Sequence, residues 1–125
     1  MTPNRTLEQR RASHALKSIK SMNDRDTGHY TSYVSSLPAT IITNGLGQAL
    51  SMLETKDESA HKLLLKHITD WLKLRISELG SRASVVDSLM QSDQKIYLEA
   101  QYEALAYLSW LKQFARAYIK EPEKK

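Results

Sequence analysis

A chain of 125 residues, 41% hydrophobic and 26% charged, is long enough to close one hydrophobic core, and its net charge of +4 is a mild excess. Cysteine is absent, which excludes disulfides, thiol catalysis and cysteine-ligated zinc. Three prolines, four glycines and no alternating β-branched runs argue against an all-β fold. Residues 1–5 are expected to fray, and Met1 to Lys20 lacks the apolar run of a secretory signal, so a cytoplasmic chain is expected. Thr6 and Gln9 form a possible capping box for a helix running to about Met22. Asn23 to Gly28, "NDRDTG", predicts a turn, and a short helix follows around Tyr30 to Ser36. Pro38 suits the first position of a further helix that ends near Glu54. "TKDES" is a polar loop in which Asp57 or Ser59 is placed to cap a helix from about Ala60 to Leu79, stopped by Gly80. A short helix is predicted around Val85 to Met90. Ser92 or Asp93 then caps a last helix reaching about Lys120, with Pro122 ending it and residues 121–125 as a frayed tail. The whole is a single all-α bundle of five to six helices over residues 1–125.

On a helical wheel, Ala12, Ala15, Leu16, Ile19 and Met22 share one side of the first helix, with Arg10, His14, Lys17 and Lys20 opposite and Arg11 on the flank. In the helix after "TKDES", Leu64, Leu65, Ile68, Trp71 and Leu72 face one way and Lys62, Lys66 and Lys73 the other. Arg75 falls in that apolar sector, where a buried ion pair, an interface anchor or a snorkelling side chain would account for it. The last helix has a core stripe of Ala100, Ala104, Leu108, Leu111, Ala115 and Tyr118, opposite Lys95, Tyr102, Gln113, Arg116 and Lys120. Three outer faces therefore carry cations, and solvation is the ordinary use of such faces.

Leu37 to Glu54, "LPATIITNGLGQALSMLE", is the least ordinary stretch. Read as one helix, it places Gly45 on an apolar side with Ile41, Ile42, Ala49, Met52 and Leu53, where a small residue lets another helix come close. Gly47 falls on the other side with Thr40, Thr43, Asn44, Gln48 and Ser51. That side is polar yet uncharged, which suits a packed contact, either internal or with a partner, better than open solvent. No Asp, Glu, Lys or Arg occurs from Thr27 to Leu53, but Pro38, Asn44, Gln48 and the many hydroxyls make the segment too polar to span a membrane.

Linear motifs of catalysis or cofactor binding are missing. "GLGQAL" lacks the third glycine and the preceding strand of a dinucleotide loop. "DRDTGHY" has its glycine at the fifth position of a would-be calcium loop and no Glu at the twelfth. His14, His29, His61 and His67 have no metal-ligand spacing. Neither an enzyme activity nor a cofactor or metal is expected.

"TLEQRRASHAL" (Thr6 to Leu16) and "LPATIITNGLGQAL" (Leu37 to Leu50) resemble two signatures of the small helical subunit family of the type III-B CRISPR effector, the Cmr complex. "YLEAQYEALAYLSWLKQFARA" (Tyr97 to Ala117) resembles that family's closing helix, whereas about Thr55 to Ser92 matches only in length and pattern. The resemblance implies a non-catalytic subunit in antiviral defence, stacked in several copies into a minor filament beside guide and target RNA. Its implied partners are other Cmr subunits, further copies of itself and the RNA backbone, with no membrane. Arg10, Arg11, Lys17, Lys20, Lys62, Lys66 and Lys73 are the candidate RNA-binding residues. Thr40, Thr43, Asn44, Gly47, Gln48 and Ser51 are the candidate subunit contacts. A helical module whose basic faces bind acidic proteins, without RNA, is the alternative.

Overall fold

The computed structural model of the chain describes residues 4–23 and 27–119. Six α-helices follow in order: α1 (Leu7–Lys20), α2 (Tyr30–Asn44), α3 (Leu46–Glu54), α4 (Ser59–Arg75), α5 (Val85–Gln91) and α6 (Gln94–Tyr118). A short 3-10 helix, Ser77–Gly80, joins α4 to α5. The all-α bundle expected from periodicity is therefore what forms, and the described residues contain no strand. Asp24 to Asp26 of the predicted turn, Lys120 of the last helix's outer face, Pro122 and the two chain ends lie outside the described residues, save Asn4 and Arg5.

The helix starts follow local chemistry. The Thr6 hydroxyl accepts from the Gln9 amide at 3.0 Å, and the Gln9 side chain accepts from the Thr6 amide at 2.8 Å, completing the predicted capping box. Ser84 caps α5 and Asp93 caps α6 through the same reach to the third amide. At α4 neither Asp57 nor Ser59 caps: Glu58 holds the position without a side-chain bond, and its carboxylate accepts from the Tyr33 hydroxyl instead. Helix α4 stops at Arg75, short of Leu79, because Ile76 turns extended and both Ile76 and Leu79 are drawn into the core.

The 25-residue α6 is the axis of the bundle, and α1, α2 and α4 pack along it. Its Ala100, Ala104, Leu108, Leu111 and Ala115 lie in the core as the wheel predicts, but Tyr118 is exposed. Helix α1 is rotated from its predicted setting. Its buried stripe is Arg11, Ala15, Ser18 and Ile19, because polar partners on α6 draw the polar side chains inward.

The Leu37–Glu54 stretch differs most from expectation. The chain runs helically through Pro38 and breaks at Gly45, so the predicted helices before and after Pro38 merge into α2. Buried Val34, Leu37 and Ile41 hold that helix against the core, which offsets the cost of roughly 3 kcal/mol of an interior proline. Gly45 has φ +87° and ψ 157°, a backbone setting that side chains strongly resist. The two halves therefore share no common wheel, and Ile42 and Met52, assigned to the apolar side, are exposed.

Candidate functional site

Gly47 is not on an outer face. It is buried, and a Cβ there would lie 2.5 Å from the Met90 methyl and 3.2 Å from the Tyr97 hydroxyl. The break at Gly45 leaves α3 without a side-chain cap of its own. Instead α6 supplies one: Gln101 accepts from the Leu46 amide at 2.9 Å, and the Tyr97 hydroxyl accepts from the Gly47 amide at 2.8 Å. Gly47 is thus removed from the candidate subunit contacts, since its small size serves an internal junction. Of the others, Thr43, Asn44 and Gln48 are exposed, while Thr40 and Ser51 are half-buried. Ile42, 71% exposed, and Met52 are exposed apolar side chains of the same two helices.

Arg11 also leaves its candidate group. Only 6% exposed, it donates through Nε and Nη2 to the two Glu103 oxygens at 2.6 and 2.8 Å, and through Nη1 to Glu8 at 2.6 Å. Glu103, 3% exposed, also accepts from the Trp71 indole at 3.0 Å, and Arg75 approaches it at 3.7 Å. Arg75 is thus a half-buried second cation beside one carboxylate. Burial pushes the Glu103 carboxyl upward, but the hydrogen bonds from Arg11 and Trp71 outweigh it and hold the group below the ordinary carboxylate range. A forked guanidinium on a buried carboxylate ties α1 to α6 and is closed to a phosphate.

Beside this pair, His14 turns inward from its predicted outer face. Its Nδ1 lies 2.6 Å from the Tyr107 hydroxyl, which Ser18 also reaches at 3.2 Å. Tyr107 stacks on Trp71 with an interplanar angle of 12°. Deeper still, His67 Nδ1 meets the Tyr30 hydroxyl at 2.7 Å. Burial pushes His67 down to about 4, and burial also lowers His14.

Arg10, Lys17, Lys20, Lys62, Lys66 and Lys73 remain exposed, as their wheel positions predict. Lys17 of α1 and Lys66 of α4 both work, after burial, against the charged form of the His14 ring. Asp70 tempers the α4 stripe, bonding Lys66 at 2.6 Å and lying 3.9 Å from Lys73. Lys20 reaches over the Tyr118 ring, 5.2 Å from its centroid. Wheel reasoning missed Glu103, Tyr97 and Gln101, although a glutamate inside the α6 alanine stripe is the same kind of signal that singled out Arg75. Among the described residues, no group of three or more His, Asp or Glu side chains is arranged to hold a metal ion, and no helix is long and apolar enough to cross a membrane.

The sequence matches the profile of the family described as "CRISPR-associated protein (Cas_Cmr5)" over residues 7–118. It is 30% identical over 119 residues to the CRISPR system Cmr subunit Cmr5 of Thermus thermophilus, spanning 94% of this chain and 99% of that protein. A crystal structure of a CRISPR-associated Cmr5 family protein from the same organism superposes with a TM-score of 0.72 at 25% identity, covering 94% of this chain and 100% of the other. Matched along nearly its whole length in both sequence and fold, the chain belongs to the Cmr5 family of CRISPR-associated proteins.

Proposed function

We propose that this chain is a non-catalytic, cytoplasmic subunit of the type III-B Cmr ribonucleoprotein, stacked in several copies into a minor filament that helps hold guide and target RNA. Family membership across residues 7–118 is the observation that carries this reading. Two surfaces support the finer assignment. The exposed stripes Arg10, Lys17, Lys20 and Lys62, Lys66, Lys73 suit a phosphate backbone, which needs cations and no base-reading groups. The exposed, uncharged side chains of Ile42, Thr43, Asn44 and Gln48, with half-buried Thr40 and Ser51, suit a repeated head-to-tail contact, which extends a stack instead of closing it. Sequence choice would come from guide–target pairing.

Purification of the tagged chain from its host tests the reading. The expected eluate contains sister Cmr subunits and a bound small RNA. Acidic proteins without RNA would favour the alternative of a protein-interaction module. Asn44→Glu and Gln48→Glu should leave the isolated chain folded but exclude it from that eluate. Normal incorporation of both would return this face to solvent.

A further inference from the structure

Thr31, Ser32 and Ser35 of α2 line a shallow groove with Arg116 and Ile119 from the end of α6. Three features make it unlike the lysine faces. First, α2 has 15 residues, no side-chain cap at His29 and no acidic residue in its first turn. The Tyr30 amide donates to the Thr27 carbonyl and the Tyr33 amide to that of His29. Helix geometry leaves the amides between them, at Thr31 and Ser32, without an intrahelical acceptor. Second, Thr31 is only 8% exposed, and its hydroxyl oxygen is buried without a hydrogen-bond partner. Buried hydroxyls are nearly always paired, and a helical threonine commonly bonds back to a carbonyl one turn earlier. Third, among the described residues the lining holds one guanidinium, three hydroxyls and no carboxylate. A guanidinium only donates, hydroxyls can turn to donate, and a helix start presents amides and partial positive charge.

We propose that this α2–α6 groove is a phosphoryl-anion site. Arg116 pairs with the anion, the Ser32 and Ser35 hydroxyls donate to it, and Thr31 supplies the floor by turning between the two χ1 wells open to a helical threonine. The group is either free phosphate or a backbone phosphate of RNA. The second source rests on the RNA-holding reading above, but the site itself does not.

The test is a titration of the full-length, 15N-labelled chain with sodium phosphate at constant ionic strength, against a sodium chloride control. Saturable shifts are expected at the Thr31 and Ser32 amides. Arg116→Gln and Thr31→Val should each weaken the apparent affinity about tenfold, the size of one lost charge-assisted hydrogen bond. Thr31→Val keeps the side-chain shape and deletes an unpaired hydroxyl. Its thermal midpoint in chloride should therefore match or exceed the parent's, which separates lost binding from unfolding. Non-saturating shifts, shifts spread over the lysine faces, or full affinity in both variants would mean an adventitious ion only and would overturn the site. Once phosphate is bound, a short oligouridylate identifies the source. Displacement at the same amides assigns the RNA backbone, whereas shifts confined to the lysine faces leave a free-phosphate site. If the groove fails and the lysine faces still bind the oligonucleotide, this inference falls and the RNA reading stands.

Discussion

Glu103 occupies a position where the α6 seam otherwise holds alanine, leucine and Tyr107, and the bundle around it is arranged to keep its charge. Arg11, Trp71 and Arg75 converge on it from α1 and α4. Buried ion pairs add little over an apolar replacement, yet breaking one strands a charge. Arg11→Leu is therefore expected to destabilise the chain by roughly 3–5 kcal/mol, and adding Glu103→Leu should recover about half of that loss. Urea midpoints of the parent, single and double variants check this, and an additive double variant would show that the pair is not coupled. His67 sets a pH limit on the same core. Its folded value, about 4, lies below the ordinary 6.5, so the unfolded chain takes up the proton first as pH falls. The stabilisation is complete above pH 6.5 and is lost progressively down to about pH 4, by up to about 3 kcal/mol. Glu103, also lowered, adds a loss of the same sign further into acid as its folded value is crossed. Thermal melts between pH 7 and about 4 should fall steeply for the parent and less steeply for His67→Gln.

At the scale of elements, the Gly45–Gly47 junction decides how α2, α3 and α6 meet. The two glycines serve different needs. Gly45 makes the break with its positive φ, so Gly45→Ala is expected to cost roughly 1–3 kcal/mol despite alanine's better helix propensity. Gly47 lies within α3, and its new Cβ would chiefly meet the far end of the exposed, flexible Met90. Gly47→Ala should therefore stay within about 1 kcal/mol of the parent, since the gain in propensity offsets the small shift required. Denaturant melts of the two variants should rank them in that order. The element order was legible because capping pairs such as Thr6–Gln9 and Asp93–Ile96 are local and declare themselves in sequence. The break at Gly45 was not, because a glycine with helical neighbours looks the same whether it continues a helix or ends one. What decides is Tyr97 and Gln101, at least fifty residues away, whose hydrogen bonds stabilise the broken form.

For the molecule as a whole, the question is whether its cations act together. The sequence places lysines on the outer faces of α1 and α4 without relating one face to the other. The fold keeps both lysine faces exposed and withdraws Arg11 into the core. Arg11 was misassigned for a physical reason: its partner Glu103 lies on another helix, and a flank position on a wheel does not say which side is covered. The stripes that remain make a sharper prediction than the full set. If they follow an RNA backbone, the binding constant should fall with salt at a log–log slope of about −0.7 per neutralised phosphate, so three contacts give a slope near −2. Reversing Arg10, Lys17 and Lys20 to Glu should lower RNA retention by the assembled complex, alike for sequences of different composition. The Lys62, Lys66 and Lys73 reversal should do less, because Asp70 already bonds Lys66 and lies near Lys73. The folded state should survive both, since exposed charges contribute under ~0.5 kcal/mol each. Retention, measured by filter binding across a salt series, is the deciding quantity. Parental affinity and slope in both triple variants would leave these faces as solvent-exposed surface and confine the subunit's role to protein contacts.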